Sequence, residues 1–284
     1  MSYFEAADGI SLYFEEVGDG APVIFVHEFA GDYRTWEPQM RFFARSHRCI
    51  SFSARGYPPS DVPTDPDSYG QDFARLDVIG LMDHLKIDRA HIVGHSMGAY
   101  TALHVGFRHP ERCISVAAIG CGWGSNPAER DASVPLCEDI ARMFEEEPIE
   151  VAADKYAHFE MRLTFKAKDP RGFAEFASML ADHSGTGLAL TMMNLQLKRP
   201  TLWELEEDLE KMELPLLVIV GDEDAPCLDG SFYLKRKVSS AGFLVVPRAG
   251  HTITSEEPAI VNEALKVFFN DVETGSWFSH KRGA

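Results

Sequence analysis

No run in this chain approaches the roughly 20 apolar residues that a helix needs to cross a bilayer, so no membrane-embedded body is expected. Cysteine is scarce: Cys49, Cys113, Cys121, Cys137 and Cys227 are the only five in 284 residues, an odd count without paired spacing. That excludes a disulfide framework and favours a reducing compartment. Cys49 and Cys113 sit in apolar, strand-like runs, where a free thiol behaves as a small buried hydrophobe. Positive charge is short as well, with 27 Lys and Arg against 44 Asp and Glu and a net charge of −17. Nucleic acid and anionic membrane surfaces are therefore poor partners; besides solubility, the excess favours the approach of a cationic small molecule. Residues 1–8 have neither a basic start nor an apolar core, so they do not read as a signal peptide, and a cytoplasmic location is expected. Three cofactor motifs are also missing. His27-Glu28 lacks the second histidine of H-E-x-x-H, and neither G-x-x-x-x-G-K-[ST] nor a strand-borne G-x-G-x-x-G occurs. No metal and no nucleotide cofactor is implied, and oligomeric state leaves no trace.

What is present is an ordinary globular composition, 45% hydrophobic and 25% charged, long enough for one sizeable core. Residues 89–93 form a short apolar run that reads as a buried strand, and residues 99–108 have helical spacing closed by Pro110. Between them stands Gly94-His95-Ser96-Met97-Gly98, a serine between two glycines at a strand-to-helix switch. Such a turn is sharp enough to strain the serine and to hold its oxygen above the sheet, at the positive end of a helix. Downstream, an apolar run over residues 214–220 ends in Gly221-Asp222-Glu223-Asp224, and another over 243–247 leads to Gly250-His251. Upstream, residues 22–26 run into His27-Glu28-Phe29-Ala30-Gly31.

This order of serine, acid and histidine, each after its own strand, resembles the α/β-hydrolase superfamily. The resemblance runs from about Tyr3 to Phe269 and is weakest between about Cys121 and Met212. It implies an α/β fold: a mostly parallel sheet with helices on both faces and an all-helical cap inserted after the sixth strand. The core would be residues 1–120 and 201–284, and the cap 121–200. The alternation of strands and helices argues for the same sheet. A leading antiparallel hairpin is expected around Asp8-Gly9. A helix over residues 69–85 should bury Phe73, Leu76, Ile79 and Leu85 on one stripe. Helical patterns follow at 136–146, 149–165, 172–182 and 188–197, then at 202–212, 232–240 and 258–269. Arg55, in a Pro-rich loop, is expected to pair with a carboxylate.

Ser96 needs a base, and His251 is the candidate, orphaned neither by position nor by context. The acid is Asp222 or Asp224 from the residues alone; the family's G-x-x-D pattern selects Asp224, which would orient His251. The resemblance also implies an oxyanion hole from the backbone N–H groups of Met97 and Phe29, with His27 holding the early loop. One position departs from the family: its usual His-Gly-x is His27-Glu28 here. Either Glu28 turns away from the substrate, or it puts a carboxylate near the pocket and favours an amine. His95, Trp123, Met143, Phe159 and Met192, with Glu28, are candidate substrate contacts; the Met- and Phe-rich cap suits a bulky apolar group. The expected activity is cofactor-free hydrolysis of a small-molecule carboxylic ester or lactone, with an amine-bearing macrolide as one candidate. Cleavage of a C–C bond in a diketone and a ligand receptor that keeps the triad are the alternatives. Serine at the elbow, where dehalogenases and epoxide hydrolases carry aspartate, argues against those two activities.

Overall fold

The computed structural model describes residues 2–278. Its eight strands are β1 (Ser2–Glu5), β2 (Ser11–Val17), β3 (Ala21–Val26), β4 (His47–Phe52), β5 (Ala90–His95), β6 (Cys113–Ile119), β7 (Leu216–Gly221) and β8 (Ala241–Val246). They form one sheet in the order β1-β2-β4-β3-β5-β6-β7-β8. The β1–β2 and β2–β4 pairs are antiparallel and all the others are parallel. The expected hairpin is therefore there, turning at Gly9 with φ of 84°.

Alternation along the central strands divides the core in two. Ile24, Ile50, Ile92, Val116 and Val218 face one side, where they pack with Val78, Leu81 and Met82 of α2 (after α1, Glu37–Phe43; α2 is Gln71–His84) and Leu103 of α3 (Met97–Arg108). Val23, Cys49, Val93, Ala117 and Ile219 face the other, against Met40 and Phe43 of α1 and the C-terminal helix residues Val261, Leu265 and Phe268. Strands buried on both faces in this way are why the sequence shows them as unbroken apolar runs.

Between β6 and β7 the described residues contain no strand. The helices there are α4 (Pro127–Glu146), α5 (Ile149–Ala157), α6 (Leu163–Lys168), α7 (Pro170–Ala181), α8 (Gly185–Thr191), followed by a π-helical turn (Met192–Gln196) and α9 (Glu206–Lys211). Residues of α4–α8 build a third apolar cluster, which also takes in Phe29 and Met97. The helical layer thus rests on the loops at the carboxyl ends of β3 and β5. The chain then completes the fold with α10 (Ala225–Lys237), α11 (Ile253–Glu256) and α12 (Pro258–Glu273). Among the described residues no helix is long and apolar enough to cross a membrane.

Several expectations need correction. Leu76 is 45% exposed, while Ile79 is buried as expected, together with Asp77, Val78, Leu81 and Met82. Arg55 explains the rotation: its guanidinium grips the buried Asp77 carboxylate at 2.7 and 2.8 Å and reaches Asp8 at 2.8 Å, which draws that face inward. The helix expected over 149–165 is broken. The helix α5 ends at Ala157, a 3-10 turn spans Glu160–Arg162, and α6 starts at Leu163. The helix expected from 136 begins instead at Pro127, because Asn126 caps it by accepting the Ala128 N–H at 3.0 Å. Likewise α10 begins directly after Asp224 rather than near 232, with proline in its first turn.

Candidate active site

Ser96 sits between β5 and α3 at φ 53° and ψ −110°, a left-handed conformation unusual for a residue with a side chain. The flanking glycines are demanded by close approach. A Cβ on Gly94 would lie 2.0 Å from the Gly98 carbonyl oxygen, and one on Gly98 would lie 2.1 Å from that of Val26. The elbow therefore exists only with both glycines, and it sets the serine hydroxyl at the base of a cleft of about 710 Å³.

His251 reaches that hydroxyl from the loop after β8. Its Nε2 is 2.9 Å from Ser96 Oγ, and its Nδ1 is 2.8 Å from Asp224 Oδ2. All three residues are buried. The two candidate acids are placed differently: Asp224 Oδ2 meets the imidazole, while Asp222 is exposed and accepts the backbone N–H of Arg248, tying the β7 and β8 loops together. With Nδ1–H donating to Asp224, Nε2 is left as the acceptor facing the serine, which is the arrangement a general base needs. Cys227, which the sequence did not single out, lies 3.7 Å from His251 Nδ1. Asp224, Cys227 and His251 bring metal-type donor atoms within 4.8 Å of one another. Burial pushes the Cys227 thiol well above its usual range, and Asp224 and His251 are engaged with each other, so the set is poorly disposed to bind an ion.

The early loop is held as expected by His27. Its Nδ1–H donates to the Glu28 carbonyl at 2.7 Å, and its Nε2 accepts from the Ala54 N–H at 3.0 Å. Burial lowers its pKa to about 4, so the ring is neutral and the tautomer is fixed by these two contacts. The Phe29 ring packs edge-on against Phe144 and Tyr156 of the helical layer. Among the described residues, neither the Phe29 nor the Met97 backbone N–H has a hydrogen-bond acceptor.

Glu28 puts a carboxylate at the pocket, as one of its two expected courses had it, but not one open to an amine. It is buried and lines the cleft beside Ser96 and His251, so it does not turn away. Nor is its charge free for an amine: Arg162 Nη2 donates to its Oε2 at 2.7 Å. Burial alone would raise the carboxyl pKa, but Arg162, with His95 and His251, pulls it down to about 2. Arg162 is itself buried, gives Nη1 to Thr252 Oγ1 at 3.0 Å, and lies over the rings of Tyr156 and Phe176. The break between α5 and α6 is what turns it inward. The same segment is stitched to the histidine loop at other points: Met161 O accepts the His251 N–H at 2.8 Å, and Thr164 Oγ1 donates to Glu256 at 3.1 Å.

Of the other expected contacts, Trp123 and Phe159 do line the cleft. Three do not. His95 lies behind the catalytic loop, giving Nε2–H to the His251 carbonyl at 2.7 Å, and burial keeps it neutral with a pKa of about 4. Met143 and Met192 pack into the interior of the helical layer, away from the opening. The cleft walls include Ile140, Tyr156 and Gln196 instead, and its mouth carries the exposed carboxylates of Glu160, Asp222 and Glu223.

Residues 21–258 match the family model described as alpha/beta hydrolase fold. Over 264 residues the chain is 26% identical to the 3-oxoadipate enol-lactonase 2 of Acinetobacter baylyi, covering 92% of this chain and 93% of that one. It is 40% identical to an epoxide hydrolase of Caballeronia sordidicola, but over 118 residues, which are 41% of this chain and 36% of the other. The enol-lactonase structure from Burkholderia xenovorans LB400 superposes with a TM-score of 0.83 over 95% of this chain and 100% of that one, at 22% identity.

Proposed function

Because the chain belongs to the alpha/beta hydrolase fold family, we propose that it is a serine hydrolase that cleaves a carboxylic ester or lactone through an acyl-enzyme on Ser96. The observation that carries this reading is His251 bridging Ser96 and Asp224 at 2.9 and 2.8 Å. Ser96 Oγ attacks the substrate carbonyl as its proton passes to His251 Nε2. Asp224 stabilises the imidazolium, which then protonates the leaving alcohol. The Met97 and Phe29 N–H groups receive the oxyanion, each worth about 3 kcal/mol in the transition state. Water and the ester balance the reaction, so no cofactor is called for.

Serine also argues against epoxide opening. Attack on an epoxide carbon would leave an alkyl ether on Ser96, which water does not cleave, whereas an acyl ester turns over. The helical segment 121–200 acts as a cap on a core of 1–120 and 201–284, and Trp123, Ile140, Tyr156 and Phe159 give it an apolar lining suited to a bulky acyl or alcohol group. For an amine-bearing lactone such as a macrolide, the attraction comes from Glu160, Asp222 and Glu223 at the mouth, not from the paired Glu28. Five unpaired cysteines suit a cytoplasmic setting.

The test is labelling with a fluorophosphonate probe, followed by a panel of esters and lactones. Wild type should be labelled and turn over a chromogenic ester many times, and Ser96→Ala should do neither. An unlabelled, folded wild type, or one that releases a single equivalent of product, refutes the proposal and favours a receptor.

A further inference from the structure

Acylation needs no carboxylate at position 28, yet the cleft contains one. Glu28 Oε2 lies 3.9 Å from His251 Nε2, on the side of the ring that faces Ser96. Arg162 holds the carboxylate in place through this same Oε2, a carboxylate oxygen that can accept a second hydrogen bond. An ionised carboxylate only accepts hydrogen bonds. Once Ser96 is acylated, His251 Nε2 is free to accept as well. A water about 2.8 Å from each of two acceptors 3.9 Å apart can donate one proton to each while turning a lone pair away from both.

We propose that Glu28 is a catalytic residue of the second half-reaction, orienting with His251 the water that hydrolyses the acyl-enzyme. This rests on the acyl-enzyme reading above. The water oxygen bonds to the acyl carbon while its first proton moves to His251 Nε2; its second O–H remains directed at Glu28. The tetrahedral intermediate collapses by breaking the bond to Ser96 Oγ, which takes the proton from Nε2, and the carboxylic acid leaves. A water held by His251 alone can rotate about that single hydrogen bond. Two acceptors remove the rotation, which is the kind of positioning that speeds attack by a bound nucleophile. For a lactone this matters more than for a simple ester, because the released alcohol stays tethered to the acyl group and competes with water for the same carbon.

Glu28→Leu removes both carboxylate oxygens, including the Oε2 that faces His251, and so leaves the water a single acceptor. With a chromogenic ester, pre-steady-state kinetics should show the acylation burst within about threefold of wild type and the following turnover slowed by about 30-fold. Hydroxylamine, a stronger nucleophile than water, should restore much of that turnover. Glu28→Gly/Arg162→Gln, which leaves no unpaired buried charge, should show the same split if the single variant fails to fold. Acylation and deacylation falling together, as a purely structural ion pair would cause, overturns the proposal; so does an unchanged deacylation rate. A wild type that never labels at Ser96 overturns the acyl-enzyme reading itself, and the wild-type burst separates that failure from the failure of Glu28's role.

Discussion

Arg162→Met isolates the ion pair that ties the helical layer to the floor of the cleft. Methionine keeps much of the apolar bulk lying over Tyr156 and Phe176, but it deletes the donors to Glu28 at 2.7 Å and Thr252 at 3.0 Å. Glu28 remains, buried and without its cation. Removing one partner of a buried pair costs about 3–5 kcal/mol, and the Thr252 hydrogen bond about 1 kcal/mol. The retained packing offsets part of this, so about 4 kcal/mol is expected at pH 7. In wild type the Glu28 pKa is held at about 2, below the ordinary 4.5. The pair therefore contributes stability fully present above pH 4.5 and lost as pH falls towards 2. Without Arg162, burial dominates and the carboxyl pKa rises above 4.5, so the variant recovers by binding a proton as pH falls. Its deficit should be largest at pH 7 and shrink towards pH 5. Urea unfolding followed by tryptophan fluorescence at both pH values measures this, and Glu28→Gln/Arg162→Met closes a double-mutant cycle. A loss below about 1 kcal/mol at pH 7, or a pH-independent loss additive with Glu28→Gln, would refute the reasoning.

Two further outcomes test the remaining assignments. Asp224→Asn should lower kcat about 10⁴-fold, while Asp222→Asn, at the cleft mouth with its side chain bonded to the Arg248 N–H and not to His251, should leave kcat within about threefold; steady-state kinetics with one uncharged chromogenic ester decides, and equal losses would undo the choice of acid. Burial depresses the pKa of His27, His95 and His104 to about 4 each. Neutral in the fold and protonated in the unfolded chain below about pH 6.5, they should make the Tm fall as pH drops from 6.5 towards 4. His104→Gln, remote from the cleft, should flatten that slope, and an unchanged slope would remove His104 from the account.

The sheet was legible because its central strands are covered on both faces and therefore read as continuous apolar runs. Helix limits were less so, although the signals existed. Asn126-Pro127 is a cap followed by proline at the first helical position, and Asp224-Ala225-Pro226 places proline in the first turn of α10. Both starts could have been found by weighing caps above apolar spacing. The buried side of α2 could not, because it depends on Arg55 drawing Asp77 inward from 22 residues away. For the cleft, the elbow and the histidine stood out because each ends its own strand, whereas strand position left Asp222 and Asp224 equal and only the resemblance to the family selected Asp224. The lining did not stand out. Met143 and Met192 are as apolar as Phe159, yet those two pack within the helical layer while Phe159, in the break between α5 and α6, meets the opening.

Glu28 shows where such reading stops and what the structure adds. A glutamate beside the oxyanion loop admits two local solutions, outward into solvent or inward with a free charge, and both assume that no partner comes from far along the chain. The partner is Arg162, 134 residues away, delivered by a 3-10 turn that interrupts a helical pattern. As a device for stability alone the pair is poor, because two buried charges often gain no more than well-packed apolar residues would. Its position changes that assessment. Oε2, which lies 3.9 Å from His251 Nε2, is also the oxygen that accepts from Arg162, so the carboxylate is neutralised where it faces the reaction and keeps a lone pair for a proton donor in the cleft without presenting an unpaired charge to the oxyanion. A bare carboxylate there would oppose the negative charge that develops on the substrate; a glycine would leave the water with one contact. The paired glutamate avoids both, and this is why the Glu28 and Arg162 variants are best compared on separate half-reactions rather than on overall turnover.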